Sequence, residues 1–369
     1  MDNTFGLIYR ASCFGESHGG AVGVVIDGCP PGHSIDLDQV QEFLNRRRPG
    51  QSHLSTPRAE KDQVSCVSGL VDGISLGTPI TLMVQNKDAK KDHYSDLESV
   101  YRPSHADYTT DVKFGLKAPS GGGRASARET IARVAAAAVA EQVLKALIPD
   151  FKVCAFVESV KDIFSEIEDP EAIDRSLVDQ HPLRCPDEKN RDKMEACIIS
   201  AKKKGDSVGG TIFCGISGAP AGLGSPVFDK LEAELAKAMM SLPASKGFEV
   251  GSGFKGSQMF GSEHNDSFVE QDGKIRTASN RSGGIQGGIS NGEYIYCRVA
   301  FKPVATIFKE QESVSRAGKA STFKPKAGRH DPCVLPRAVP MVEAMAILVV
   351  MDQYLRQLMH VHARGPHRV

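Results

Sequence analysis

Tryptophan is missing from this chain, its nine cysteines contain no C-x-x-C pair, and its formal net charge is zero. Each absence excludes something. Lys+Arg and Asp+Glu both number 45, so no global field draws the protein towards nucleic acid or a membrane surface. Any anion site must therefore come from local clustering of basic side chains. The cysteines are odd in number and scattered from Cys13 to Cys333, which argues against a disulfide framework or a zinc site. Reduced thiols in a cytoplasmic protein are expected. No basic segment followed by an apolar run opens the chain, so no secretory leader is expected. The most apolar run near the C-terminus, Val339 to Met351, is too short to span a bilayer and contains Glu343. Metal-ligand spacing is also missing, and no metal is expected.

What is present is a chain of 369 residues with 40% hydrophobic content, enough for one large core or two domains. Residues 21–27 read as a strand, followed by the turn Gly28-Cys29-Pro30-Pro31-Gly32. Asp36 is placed to cap a helix over about 37–46, which runs into Arg46-Arg47-Arg48-Pro49-Gly50. Strands are expected near 63–70 and 79–85, and a polar loop over 87–115. Ser126 and Glu129 have capping-box spacing at the head of a helix running to about Ile148. From Val134 to Ala140 every residue is Val or Ala, and a helix apolar on all sides is buried on all sides. A last helix, from Val339 to about Met359 with Pro340 in its first turn, has the same character. Two such helices predict an inner helical layer with sheets packed outside it.

An internal echo supports matching halves. Gly28-Cys29-Pro30-Pro31-Gly32 and Gly218-Ala219-Pro220-Ala221-Gly222 each follow a strand and precede a helix, the second helix expected from Pro226 to Leu242. Pseudo-repeats over about 1–150 and 207–362 within a single domain are expected, with a charged surface excursion over about 160–206.

Gly15-Glu16-Ser17-His18-Gly19 fits the nucleophile elbow G-x-S-x-G. That motif needs a strand before the serine and a helix after it, whereas a Val-rich strand follows here. A serine hydrolase using Ser17 is thus the weaker alternative. The glycine run before Arg124 opens a helix whose free N–H groups suit phosphate, though such a run is often only a hinge. It is not a P-loop. Arg329, His330, Asp331 and Arg337 crowd a short stretch ahead of the last helix, and Gly283 to Gly292 holds five glycines in ten residues. Arginines and histidines in glycine-rich settings point to a polyanionic organic substrate and to proton transfer.

Taken jointly, six stretches resemble the chorismate synthase family over essentially the whole chain. They are Gly15-Glu16-Ser17-His18-Gly19, Arg46-Arg47-Arg48-Pro49-Gly50, Arg102-Pro103-x-His105-Ala106-Asp107, Gly123-Arg124-x-Ser126-Ala127-Arg128-Glu129, Gly283-Gly284-Ile285-x-Gly287-Gly288-Ile289 and Gly328-Arg329-His330-Asp331-Pro332-Cys333. The resemblance implies a lyase of the shikimate pathway, in aromatic amino acid biosynthesis. It eliminates phosphate from 5-enolpyruvylshikimate 3-phosphate in an anti-1,4 sense and needs reduced FMN without net redox change. It also implies an α+β fold, a β-α-β sandwich with an inner layer of buried helices between antiparallel sheets, and a cytoplasmic homotetramer, with NADPH as candidate reductant; no stretch reads as a separate reductase domain.

By the same resemblance His18 donates a proton to the departing phosphate, His105 serves the pyrimidine side of the flavin, and Asp331 relays a proton near flavin N5. Flavin contacts fall on Arg124, Ala125, Ser126, Pro243, Ala244, Gly287, Lys302, Pro303, Val304, Ala305, Thr306 and Arg329. Substrate contacts fall on Arg46, Arg47, Arg48, His53, Arg128 and Arg337. Two positions depart from the family pattern: Pro243 stands where many relatives have Asn, and His53 where an arginine is common. A non-catalytic flavin-binding protein is the other alternative.

Overall fold

Alternation of side chains decides which faces of the strands are covered. In Ile80–Gln85, Ile80, Leu82 and Val84 are buried while Thr81 and Met83 are only partly so, and Ala21–Asp27 buries Val22, Val24 and Ile26 in the same way. The computed structural model describes residues 3–54, 61–86, 99–116, 120–325 and 331–364. Two five-stranded sheets, antiparallel throughout, enclose a layer of helices. The first runs, in spatial order, Thr4–Phe5, Arg10–Gly15, Ala21–Asp27, Ile80–Gln85, Val64–Ser68. The second runs Ile163–Phe164, Lys152–Val160, Gly210–Ser217, Ile295–Phe301, Ser245–Val250. The inner helical layer read from the two all-apolar helices, and the α+β sandwich that the resemblance implies, are the fold observed.

Those helices form the centre. Thr130–Leu147 packs on the first sheet and on Leu335–Ala363, which in turn lies on the second sheet. Every residue from Val134 to Ala140 is buried, because this helix has neighbours on all sides. Helices Leu37–Arg47 and Leu231–Met240 flank the pair. Arg10–Gly15, Ala21–Asp27, Leu37–Arg47, Val64–Ser68, Ile80–Gln85 and Thr130–Leu147 correspond in order to Lys152–Val160, Gly210–Ser217, Leu231–Met240, Ser245–Val250, Ile295–Phe301 and Leu335–Ala363, with further short strands and helices inserted between them in both halves. In each sheet the second strand lies between the first and the fourth. The glycine after each second strand is obligatory. A Cβ on Gly28 (φ +78°) would sit 1.9 Å from Ile8 O, and one on Gly218 (φ +74°) 2.4 Å from Asp150 O.

Several boundaries differ from those read in the sequence. The last helix begins at Leu335 and ends at Ala363, so Pro336, not Pro340, occupies its first turn. Pro340 lies inside the helix and has no N–H for the carbonyl of Pro336; the Arg184 guanidinium donates to that oxygen instead. The capping box at Ser126 and Glu129 does not form. Ser126 Oγ accepts from Arg128 N at 3.3 Å and caps a single 3-10 turn, Ala127–Glu129, while Glu129 reaches forward to Arg133 at 3.0 Å. The 226–242 helix is shorter, Leu231–Met240, because Ser225 N and Asp229 O close a turn ahead of it at 2.8 Å. Within the expected loop, Asp107–Phe114 is helical; its two turns are too short to leave a periodic signature. The charged segment before residue 206 includes helix Glu188–Lys203, which buries Met194 and Ile198.

Candidate functional site

The start of helix Thr130–Leu147 gathers most of the residues singled out from the sequence. The turn Gly15–Gly19 joins the Arg10–Gly15 and Ala21–Asp27 strands. Gly15 has φ +88°, and a Cβ there would lie 2.1 Å from Ala21 O. Ser17 is buried and its hydroxyl sits 2.9 Å from His18 Nδ1. A strand follows Ser17, so the strand-then-helix geometry of a nucleophile elbow is not formed. Asn86 Nδ2 donates to Glu16 O at 2.9 Å and to Gly19 O at 2.8 Å, and Asn86 Oδ1 accepts from Arg128 Nε at 2.5 Å.

Arg128 opens onto an arginine cluster. Its Nη1 reaches Asp62 Oδ1 at 2.9 Å, and the other Asp62 oxygen takes Arg47 Nη2 at 2.7 Å. Arg47 is fully buried and also donates to Ala127 O at 3.1 Å. Burial pushes its guanidinium pKa down to about 10; Asp62 opposes this, and the nearby Arg337 and Arg128 add to it. Arg337 is itself paired with Asp331. Among the described residues three guanidiniums thus share two carboxylates, and the buried Nε atoms of Arg47 and Arg337 have no hydrogen-bond partner there. Arg48 closes the same helix as its C-cap. Arg124 donates to Gly15 O at 3.0 Å and Cys13 O at 3.2 Å, fastening the 3-10 run to the first sheet beside the Gly15–Gly19 turn.

A second group joins from the other half. Arg133, in the first turn of the helix, donates to Ser241 Oγ at 2.5 Å and Ser241 O at 3.2 Å. Pro243 and Ala244 follow, the latter in the left-handed region at φ +68°. Ala244 O accepts from Lys302 N at 3.0 Å, and Lys302 Nζ donates to Ser104 O at 3.0 Å. Pro303 and Ala305 continue that segment; Val304 O accepts from Ser207 Oγ at 2.7 Å, and Thr306 is buried. Next to Ser104, His105 Nδ1 lies 3.0 Å from Asp107 Oδ1. Although burial opposes it, hydrogen bonds from Arg102 and His105 hold the Asp107 carboxyl well below the usual range. Burial, and then Lys246, lower the pKa of Lys302.

Other residues stand apart from these two groups. Arg46 turns to the C-terminal helix and pairs with the buried Glu343 at 2.5 Å and with Asp179 at 2.5 Å. His53 is exposed and bonded to Glu195 at 2.8 Å. Gly287 is exposed in a turn that borders a cavity of about 580 Å³ with His264 and Asp266. Arg329 lies outside the described residues. A larger cavity of about 740 Å³ opens on the outer face of the second sheet, lined by Phe156, Phe213 and Tyr296, and none of the residues named from the sequence borders it. Asp62 and Asn86 escaped the sequence reading. One stands in an ordinary charged stretch and the other ends a strand, and neither position carries a local signal.

The chain matches the family model described as chorismate synthase over residues 9–355. A chorismate synthase of Prochlorococcus marinus (strain MIT 9301) is 57% identical over 357 residues, covering 96% of this chain and 97% of that one. One of Synechococcus elongatus is 56% identical over 358 residues, covering 97% and 98%. A crystal structure of chorismate synthase superposes with a TM-score of 0.73 at 28% identity, covering 96% of this chain and 94% of the other.

Proposed function

This chain belongs to the chorismate synthase family of carbon–oxygen lyases acting on phosphate, and from that premise we propose which of its residues carry the reaction. The substrate we assign is 5-enolpyruvylshikimate 3-phosphate, which loses phosphate by anti-1,4 elimination to give chorismate, the last step of the shikimate pathway. One observation supports this above all: the buried cluster of Arg47, Arg128 and Arg337 linked through Asn86 to the turn that carries His18. Among the described residues the cluster sets three guanidiniums against two carboxylates, and the substrate brings a phosphate and two carboxylates. Guanidinium forks hold both kinds of anion bidentately. In a site of low dielectric they stabilise the charge that grows on the departing phosphate.

His18 protonates that leaving group. The Ser17 hydroxyl holds Nδ1, so the proton is handled at Nε2. Arg48, Arg128 and Arg337 contact the anions, with Arg47 behind them. Arg46 braces the helix layer through Glu343, and His53 stays at the surface.

Reduced FMN is the cofactor we assign; when bound it would supply electron density for the elimination and a base for the substrate's C6 proton. The place where the 102–107 loop, Pro243–Ala244 and the 302–306 segment meet fits such a group, because much of its lining is main chain held by the Ser104–Lys302 and Ala244–Lys302 contacts. Arg124, Ala125, Ser126, Pro243, Ala244, Lys302, Pro303, Val304, Ala305 and Thr306 would hold it; Gly287, which stands apart, and Arg329, outside the described residues, join the set by family resemblance alone. His105, whose Nδ1 lies 3.0 Å from Asp107 Oδ1, would hold a proton on the pyrimidine side, and Asp331 would move the abstracted proton away. NADPH as reductant source, a cytoplasmic location and a homotetramer complete the proposal. So does descent of the two like-ordered halves, about 1–150 and 207–362, from one duplicated unit.

The test is anaerobic turnover. With chemically reduced FMN and the substrate, the purified chain should release stoichiometric phosphate. Flavin binding without any phosphate release would refute the lyase reading and favour a binding protein.

A further inference from the structure

We infer that Asn86 is a positioning residue for His18: its carboxamide clamps the Gly15–Gly19 turn to the arginine cluster and so sets the imidazole in register with the groups that hold the substrate's anions. This rests on reading His18 as the proton donor.

A carboxamide has two donor hydrogens and one acceptor oxygen. Asn86 places both hydrogens on the turn, at Glu16 O (2.9 Å) and Gly19 O (2.8 Å), the two carbonyls that bracket Ser17 and His18. Its oxygen faces the opposite way and accepts from Arg128 Nε at 2.5 Å. Its main-chain N–H donates to Gly20 O at 3.0 Å, so four hydrogen bonds meet at this residue, two of them to the Gly15–Gly19 turn and one to Gly20 just beyond it. Beyond Arg128 the contacts continue through Asp62 to Arg47. A flipped amide would set oxygen against two carbonyls and N–H against a guanidinium, so the partners dictate one orientation. They also dictate the residue. Aspartate has the right length but no donor, and glutamine is one methylene too long. The clamp reaches from the end of strand Ile80–Gln85, a rigid element, which is where a positioning group is most effective.

The test compares Asn86→Ala, Asn86→Asp, His18→Ala and the Asn86→Ala/His18→Ala double variant in the anaerobic phosphate-release assay. Misplacing a reacting group by about 1 Å costs up to about 100-fold. Asn86→Ala should therefore lower kcat about 10- to 100-fold, with KM changed less than about threefold. Asn86→Asp keeps the acceptor for Arg128 but loses both donors to the turn, and should lose about as much. Because residues that act as one unit are not additive, Asn86→Ala should cost almost nothing further once His18 is gone.

The clamp is refuted if Asn86→Ala lowers kcat by the same factor in both backgrounds, if KM rises while kcat holds, or if Asn86→Asp turns over like the wild type. Should Asn86→Ala fail to fold, Asn86→Asp in the two backgrounds decides by the same criterion. A wild-type rate for His18→Ala alongside a slow Asn86→Ala would overturn the assignment of His18 instead, and a wild-type chain that releases no phosphate would overturn the lyase reading beneath both.

Discussion

Asp62→Ala removes the carboxylate that Arg47 and Arg128 share in the arginine cluster. The Asp62 side chain is fully buried, with one oxygen on Arg47 at 2.7 Å and the other on Arg128 at 2.9 Å. Its loss removes the carboxylate that these two buried guanidiniums share, and deleting one partner of a buried pair costs about 3–5 kcal/mol. At about 2.1 cal/mol/K per residue, a 369-residue chain has an unfolding entropy near 0.8 kcal/mol/K, so the midpoint should fall by about 4–6 °C. Asp62 also sits at φ +44°, a conformation alanine adopts less readily than Asn, so Asp62→Asn separates loss of charge from backbone strain.

The second half of the prediction concerns an added anion. If the cluster is built to receive phosphate, inorganic phosphate should enter the vacated position and stabilise Asp62→Ala more than the wild type. At a hundred times its Kd, phosphate would restore about 2.7 kcal/mol, more than half of the loss. Differential scanning calorimetry in phosphate, against chloride at matched ionic strength, reads both numbers. Equal phosphate shifts in wild type and variant would show that Asp62 does not stand in for a bound anion.

Three further outcomes are expected. Ser17→Ala should slow turnover far less than His18→Ala, because the hydroxyl only fixes the ring; equal losses with both proteins folded would restore Ser17 as a candidate nucleophile. Arg47→Ala should raise the substrate KM and flatten its dependence on salt, and an unchanged KM would remove Arg47 from anion binding. The Asp266 carboxyl, although burial opposes it, is held at about 2 by the hydroxyls of Ser279 and Ser282 and the N–H groups of Ser282 and Arg281. A depressed carboxylate stabilises fully above its ordinary 3.8 and loses that contribution as pH falls towards 2. The 266–282 segment should therefore become protease-sensitive to pepsin between about pH 4 and pH 2, and Asp266→Asn should already be sensitive at pH 4; a pH-independent cleavage rate would contradict this.

What was legible in the sequence is what depends on neighbours along the chain. The period-two burial of Ala21–Asp27, the Asp36 cap, which accepts from Asp38 N at 2.8 Å, and the all-apolar 134–140 run each follow from local pattern. The start of the C-terminal helix was misplaced because Pro336 and Pro340 both suit a first turn, and only Arg184, 152 residues away, supplies the donor that lets Pro340 lie inside the helix. The motif at His18 was legible as a glycine-flanked histidine, but not its fastening, since Asn86 and Arg128 are 42 residues apart and Asp62 and Arg128 are 66 apart. The arginine run shows the limit most clearly. Read as a string, Arg46, Arg47 and Arg48 form one basic patch. On a helix, successive side chains point roughly 100° apart. Arg46 therefore turns to Glu343 on the central helix and Arg47 to Asp62 in the cluster, while Arg48 leaves the helix as its C-cap. Charge at one place in sequence becomes charge at three places in space. Only those that converge with Arg128 and Arg337 can act together on one anion.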